Sequence, residues 1–272
     1  MWLHVEVTSR CNAWCPSCPR NLNGYGLANF TPKDLDPSVL KSVIEQYNIT
    51  SVQMCGNLGD PCAATNIDQH LDICTNISRL QIHTNGSLRK PDWWAALAHK
   101  FAHLEQFDVW FAIDGLEDTH SYYRQGTDWN RVIENARNFI QAGGSAVWQF
   151  IPFKHNEHQI MDCMSMSQDM GFKRFEFVKN ARYKSKAYDY KTGEEIDIQP
   201  WHKDNSFNRI HDIKQTVETK NCMHLSIPSI FLSAEGVVSP CCYMPNLPLL
   251  NVDIATEFSN NNYRNICVKN CG

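Results

Sequence analysis

Leu3-His4-Val5-Glu6-Val7-Thr8-Ser9-Arg10-Cys11-Asn12-Ala13-Trp14-Cys15-Pro16-Ser17-Cys18-Pro19 is the stretch on which the reading of this 272-residue chain turns. A strand-like run, Leu3 to Val7, leads straight into three cysteines spaced C-x3-C-x2-C. Three thiolates on one short loop hold three irons of a cubic cluster and leave the fourth iron open for chemistry; a fourth thiolate would make a plain electron carrier. The same triplet serves equally as part of a zinc site, which closes with a fourth ligand from elsewhere. On spacing alone the two readings stand level.

Outward from this loop, apolar runs rich in Val, Ile and Phe alternate with amphipathic stretches. The pattern predicts strands near 2–8, 50–55, 79–84, 106–113, 146–152 and 174–178. It predicts helices near 36–47, 65–76, 91–101, 128–142 and 157–170. Asp36-Pro37 reads as an N-cap followed by proline in the first turn, and Pro91 as another helix start. Gly143-Gly144 and Gly171 fall where helices should stop. Six alternations of strand and helix argue for a parallel sheet with helical crossovers, an α/β chain forming an open, partial (β/α)6 TIM-like barrel. Ligand loops of such folds lie at the carboxyl ends of the strands, where the three-cysteine loop falls.

Three segments follow: residues 1–178 as the barrel, 179–221 as a polar connecting segment that folds over its open end, and 222–272 as a small cysteine-bearing β-hairpin and helix domain. In the last, Ile227–Leu232 and Gly236–Pro240 read as hairpin strands turning at Ala234-Glu235-Gly236.

A formal net charge of −4 and a pI near 6.2 give no basic footprint for nucleic acid. No apolar run reaches the length of a membrane span and no charged-then-apolar leader opens the chain, so a cytoplasmic protein is expected. Twelve cysteines in a chain that is 43% hydrophobic point to reduced thiols and metal rather than a disulfide framework.

Four more motifs occur at successive strand ends. Gly59-Asp60-Pro61 follows the second strand, Thr84-Asn85-Gly86 the third, and Ala112-Ile113-Asp114-Gly115 the fourth; Tyr123-Arg124-Gln125-Gly126 lies beyond. Together with the cysteine loop, the chain from the first strand to about residue 178 resembles the radical S-adenosylmethionine superfamily. The resemblance implies that Cys11, Cys15 and Cys18 bind a [4Fe-4S] cluster whose open iron chelates S-adenosylmethionine. Gly59, Asp60 and Pro61 then correspond to the segment that holds the methionine ammonium, with Asp60 where Glu is usual. Thr84 and Asn85 lie on the cofactor side. Ala112 stands where the family has Ser, which removes a ribose contact and leaves Asp114 as the polar candidate. Arg124 is a candidate partner of the cofactor carboxylate. Ser17 replaces a bulky residue set against adenine, so Trp14 or a residue of a later strand is expected to cover that ring.

A second cysteine group, Cys222, Cys241, Cys267 and Cys271, resembles the twitch form of the SPASM domain, implying one auxiliary [4Fe-4S] cluster. The final pair is spaced by three residues rather than two, and Cys242 is an alternative ligand. Cys55, Cys62, Cys74 and Cys163 are expected to pack as small apolar residues, with Cys55 and Cys62 also candidates for hydrogen-atom donation. The resemblance implies an oxidoreductase or modifying enzyme that cleaves S-adenosylmethionine to a 5′-deoxyadenosyl radical and takes hydrogen from a C–H bond. It implies a flavodoxin- or ferredoxin-type donor, and a substrate that is a peptide or a sugar- or aminocyclitol-like small molecule. The alternative from another class is a zinc-stabilised binding protein without redox chemistry.

Overall fold

The structure is a computed structural model and describes residues 1–22, 25–26, 30–178, 186–201 and 229–242. Its elements run β1 (Trp2–Val5), β2 (Asn21–Leu22), β3 (Tyr25–Gly26), α1 (Pro37–Gln46), β4 (Ser51–Met54), α2 (Ile67–Ile73), β5 (Arg79–Thr84), α3 (Pro91–Lys100), β6 (Gln106–Ala112), α4 (Glu117–Tyr123), α5 (Trp129–Gln141), β7 (Ser145–Phe150), α6 (Ile160–Met170), β8 (Arg174–Phe177), β9 (Ala187–Tyr188), β10 (Glu195–Ile196), β11 (Ser229–Leu232) and β12 (Val238–Ser239). One eight-stranded sheet has the order β12-β11-β1-β4-β5-β6-β7-β8. All its pairings are parallel except β11 with β12. It is open rather than closed, as the six-unit reading expects.

Local chemistry sets the element ends. Asp36 caps α1 by accepting from Ser38 N at 2.8 Å, ahead of Pro37. Gly171 ends α6 in the left-handed conformation at φ 85°. Along the strands, every second side chain faces the helices. Leu3, Val5, Val52, Met54, Leu80, Ile82, Val109, Phe111, Trp148 and Phe150 are all buried in that layer. The α5 stripe of Val132, Ile133, Ala136 and Phe139 packs onto it. Burial of each large member contributes about 1.5–3 kcal/mol.

Two features depart from the expected pattern. The short helix α4 lacks a helical stripe of its own and was not expected. The hairpin strand β11 does not stand apart from the barrel: it pairs in parallel with β1, Trp2 opposite Ser229 and Val5 opposite Leu232. Four consecutive buried residues, Ser229 to Leu232, give it the two-sided burial of an inner strand.

The connecting segment folds back onto the barrel where it is described. β9 and β10 pair antiparallel, and Ala187 and Ile198 pack with Tyr123, Ile151 and Phe153 in a second small core. Lys154 N donates to Gln199 O at 3.0 Å and Tyr190 N donates to Gln125 Oε1 at 3.0 Å, tying the hairpin to the strand-end loops. Among the described residues, no helix is long and apolar enough to cross a membrane.

Candidate active site

A cavity of about 280 Å³ opens at the carboxyl ends of the central strands. Cys11, Cys15 and Cys18 all line it, together with the turn 55–60 after β4, His83 to Asn85 at the end of β5, Ala112, Arg124 and Gln149. Sequence motifs from four different strand ends are therefore brought to one place.

The cysteine loop is held from behind by Arg20, which is 7% exposed. Its guanidinium donates to Cys11 O at 3.2 Å, Leu58 O at 3.3 Å and Ala13 O at 3.4 Å. Trp14 N donates to Gln125 O at 2.7 Å, and Cys18 N to Cys15 O at 2.9 Å. Gly126, at φ +79°, lets the next loop come close: a Cβ there would lie 2.8 Å from Asn12 O.

Three N–H groups are aimed at the sulfurs. Ala13 N donates to Cys11 Sγ at 3.3 Å, Asn85 Nδ2 to the same sulfur at 3.7 Å, and Arg124 Nη1 to Cys15 Sγ at 3.8 Å. Burial pushes the Cys11 thiol up to about 12, with Asp60 adding to the rise, and burial raises Cys15 against the pull of Arg124. Thiolates at these positions therefore need cationic charge beside them, which iron supplies. Three cavity-lining thiols, with N–H···S donors on Cys11 and Cys15, fit a cluster bound through three cysteines. Among the described residues, no three His, Cys, Asp or Glu side chains are gathered as they would be around a single ion.

The turn after β4 rests on a residue that motif reading missed. Glu6, 3% exposed, accepts from Leu58 N at 2.6 Å and Gly59 N at 3.0 Å through the same oxygen. Asp60 N donates to Arg10 O at 2.8 Å. The only hint in the sequence was a carboxylate inside an apolar strand run, where a partner is obligatory.

Asp60 lines the cavity but is heavily engaged. Its Oδ1 accepts from Cys62 N at 2.9 Å and Thr84 Oγ1 at 2.9 Å, and its Oδ2 from Asn85 N at 2.7 Å. Burial raises its carboxyl, while the bonds from Asn85, Thr84 and Cys62 hold it down. Thr84 thus faces Asp60. Asn85 reaches the other way, to Asn12 Oδ1 at 2.9 Å, and accepts from Ser87. Gly59-Asp60-Pro61 and Thr84-Asn85 form one hydrogen-bonded cradle under the cysteine loop.

Asp114 is fully buried and does not line the cavity. Its Oδ2 accepts from Arg124 Nε at 2.6 Å and its Oδ1 from Ile151 N at 2.6 Å. Burial raises the Asp114 carboxyl, opposed by Arg124. The pair aims the remaining guanidinium nitrogens at the cavity, where one meets Cys15.

Trp14 lines a neighbouring outer cavity and stacks on Tyr190, ring centroids 5.6 Å apart and planes 3° from parallel. Ile151 and Val178 supply apolar wall to the inner cavity. Cys62, Cys74 and Cys163 are buried, and Cys55 lines the inner cavity. Of the second group, Cys241 is buried just beyond β12, and Asn57 Nδ2 donates to Cys242 O at 2.7 Å. Cys222, Cys267 and Cys271 lie outside the described residues.

No family model matches the chain, and no curated protein matches it. Solved structures do. SuiB of Streptococcus suis bound to S-adenosylmethionine has a TM-score of 0.67 at 16% identity, over 98% of this chain and 67% of that one. anSMEcpe with bound AdoMet also has a TM-score of 0.67 at 16% identity, over 98% of this chain and 82% of its own. The fold is that of the radical S-adenosylmethionine enzymes. SuiB bound to its precursor peptide SuiA has a TM-score of 0.65 at 14% identity, over 98% of this chain and 66% of that one. The chain thus spans about two thirds of SuiB's length. At these identities the likeness is one of fold.

Proposed function

We propose that this chain is a radical S-adenosylmethionine enzyme that oxidises or otherwise modifies a C–H position of its substrate. The observation that carries this reading is the convergence of three cysteine thiols, the Asp60–Thr84–Asn85 cradle and Arg124, held from behind by Asp114, on one cavity. Cys11, Cys15 and Cys18 would hold a [4Fe-4S] cluster. Bound there, a reduced cluster and S-adenosylmethionine together supply a 5′-deoxyadenosyl radical able to take a hydrogen atom from carbon.

The chain's own part is binding, orientation and exclusion of water. Gly59, Asp60 and Pro61 present backbone and a buried carboxylate to the cofactor ammonium. Arg124, oriented by Asp114, offers a guanidinium fork to its carboxylate. Asn85 steadies the cluster loop through Asn12 and Cys11, and Thr84 fixes Asp60. Ile151 and Val178 suit the adenine face. The β9–β10 hairpin, clamped to Gln125 and stacked on Trp14, closes the side of the site.

A peptide substrate is the favoured class, since SuiB is solved with its precursor peptide and anSMEcpe with the Cp18Cys peptide on the same fold; a sugar- or aminocyclitol-like molecule is the second. Cys222, Cys241, Cys267 and Cys271 would hold one auxiliary [4Fe-4S] cluster as an electron acceptor. A flavodoxin- or ferredoxin-type donor in the cytoplasm would supply the reducing electron.

The test is anaerobic reconstitution with metal analysis. The protein should carry about eight irons, falling to about four when Cys11, Cys15 and Cys18 become Ala. A colourless protein with stoichiometric zinc and no iron would replace this reading with a zinc-stabilised binding module.

A further inference from the structure

The outer cavity is the larger of the two, about 770 Å³ against about 280 Å³, and nothing in the proposed function fills it. The two cavities share one lining residue, Cys11. Three arginines line the outer one, Arg10, Arg20 and Arg89, and no acidic side chain among the described residues does. Phe30, Pro32 and Leu88 add an apolar wall.

The charge of these arginines is largely uncompensated. Only Arg10 has a carboxylate partner among the described residues, Asp34 at 3.3 Å. Arg20 donates to the three carbonyl oxygens behind the cysteine loop, and Arg89 donates from Nε to Cys62 O at 2.8 Å and from Nη2 to Ala64 O at 2.5 Å. Carbonyl dipoles fix a guanidinium in place without cancelling its charge, and a charge withdrawn from water calls for an anion. A cluster at Cys11 would offset Arg20, which stands directly behind that residue. Arg89 has no such neighbour.

The backbone at Arg89 is also unusual. Its φ is +66°, a region that costs a residue with a Cβ free energy and that glycine enters freely. The side chain holds it there through the two carbonyl bonds and by lying over Trp93, Cζ 5.7 Å from the ring centroid. Strain of this kind is kept where a side chain has a task. In Arg89 and Arg10 alike, Nε and Nη2 make the anchoring bonds and Nη1 makes none among the described residues. Each guanidinium is fixed along one edge and keeps donors for an acceptor from outside.

We propose that the outer cavity is a binding site for a small anionic ligand, a phosphate or carboxylate head joined to an apolar body. Arg89 and Arg10 hold the head, and Phe30, Pro32 and Leu88 take the body. The site is distinct from the cavity of the three thiols and does not depend on the chemistry proposed there.

The experiment is isothermal titration of the anaerobically reconstituted protein with phenyl phosphate, phenylsuccinate and inorganic phosphate, each with and without saturating S-adenosylmethionine. Phenyl phosphate or phenylsuccinate should bind one to one, and which of them binds more tightly identifies the head. Inorganic phosphate should bind more weakly, and S-adenosylmethionine should displace none of them. Arg89→Gly removes the guanidinium while accepting the positive φ, and should weaken binding about tenfold or more, the worth of a charge-assisted hydrogen bond, at unchanged iron content. Arg10→Gln should weaken it in the same direction, and Arg89→Lys should recover part of the loss. Phe30→Ala should weaken phenyl phosphate and leave inorganic phosphate unchanged. Absence of saturable binding to either aromatic anion overturns the proposal. So does equal affinity in Arg89→Gly and Arg10→Gln, or displacement by S-adenosylmethionine, which would put the anion in the inner cavity. A protein that binds neither anion yet cleaves S-adenosylmethionine loses this site and keeps its proposed function.

Discussion

Gly59→Ala tests the cradle at its tightest point. A Cβ at Gly59 would run into the Thr8 carbonyl oxygen, and would lie 2.6 Å from Thr8 C and 2.9 Å from Ser9 Cα. All three atoms are backbone of the segment joining β1 to the cysteine loop, so no side chain can swing away and the turn itself must move. Overpacking of this kind costs about 1–3 kcal/mol. Movement also lengthens the bonds from Leu58 N and Gly59 N to Glu6, now 2.6 and 3.0 Å, each worth about 1.5–3 kcal/mol as a bond to a charged group. A total loss of at least about 3 kcal/mol follows, taken partly from stability and partly from cofactor affinity. Urea unfolding of the anaerobically reconstituted protein, with dialysis against S-adenosylmethionine, measures both. Gly143→Ala is the control: nothing lies within 4 Å of its Cβ, although φ is +88°, so only the strain of about 1 kcal/mol is expected. If Gly59→Ala costs no more than Gly143→Ala and binds S-adenosylmethionine normally, the packed turn is not what holds the site.

Arg124→Ala should destabilise by about 3–5 kcal/mol, because it leaves the fully buried Asp114 without its cation. Arg124→Ala combined with Asp114→Asn should cost less than Arg124→Ala alone in the same urea titration. The pH dependence has a definite sign. Burial drives His83 down to about 4 and His120 down to about 3, both below the ordinary value near 6.5, so the unfolded chain takes up protons that the folded one refuses. Stability is complete above about pH 6.5 and falls below it by about 1.4 kcal/mol per pH unit for each histidine. Urea midpoints between pH 7 and 5.5 should show the decline, and His120→Gln should make it shallower.

The six barrel strands and their order could be read from apolar runs because each is buried on the helix side and bounded by its own turn residues. Asp36, Pro37, Pro91 and Gly171 placed helix ends for local reasons that need no partner. What could not be read depends on distant contacts. Strand β11 joins β1 across more than two hundred residues, and nothing in Ser229 to Leu232 names that neighbour. Helix α4 is set by the loops around Asp114 and Arg124 rather than by a periodic stripe. Within the site, the motifs located Asp60, Thr84, Asn85 and Arg124, but not how they divide the work. Asp114 holds Arg124 instead of facing the cavity, and Trp14 is drawn outward by Tyr190, a residue in the polar segment. Glu6 belongs to no short motif, and its role emerges only when the strand ends are brought together.

The most direct measurement is product analysis of the anaerobically reconstituted protein given S-adenosylmethionine and a strong one-electron reductant, without any added substrate. The account predicts 5′-deoxyadenosine and methionine in equal amounts, with neither formed when Cys11, Cys15 and Cys18 are replaced by Ala. A fully iron-loaded, reduced protein that yields no 5′-deoxyadenosine would contradict it.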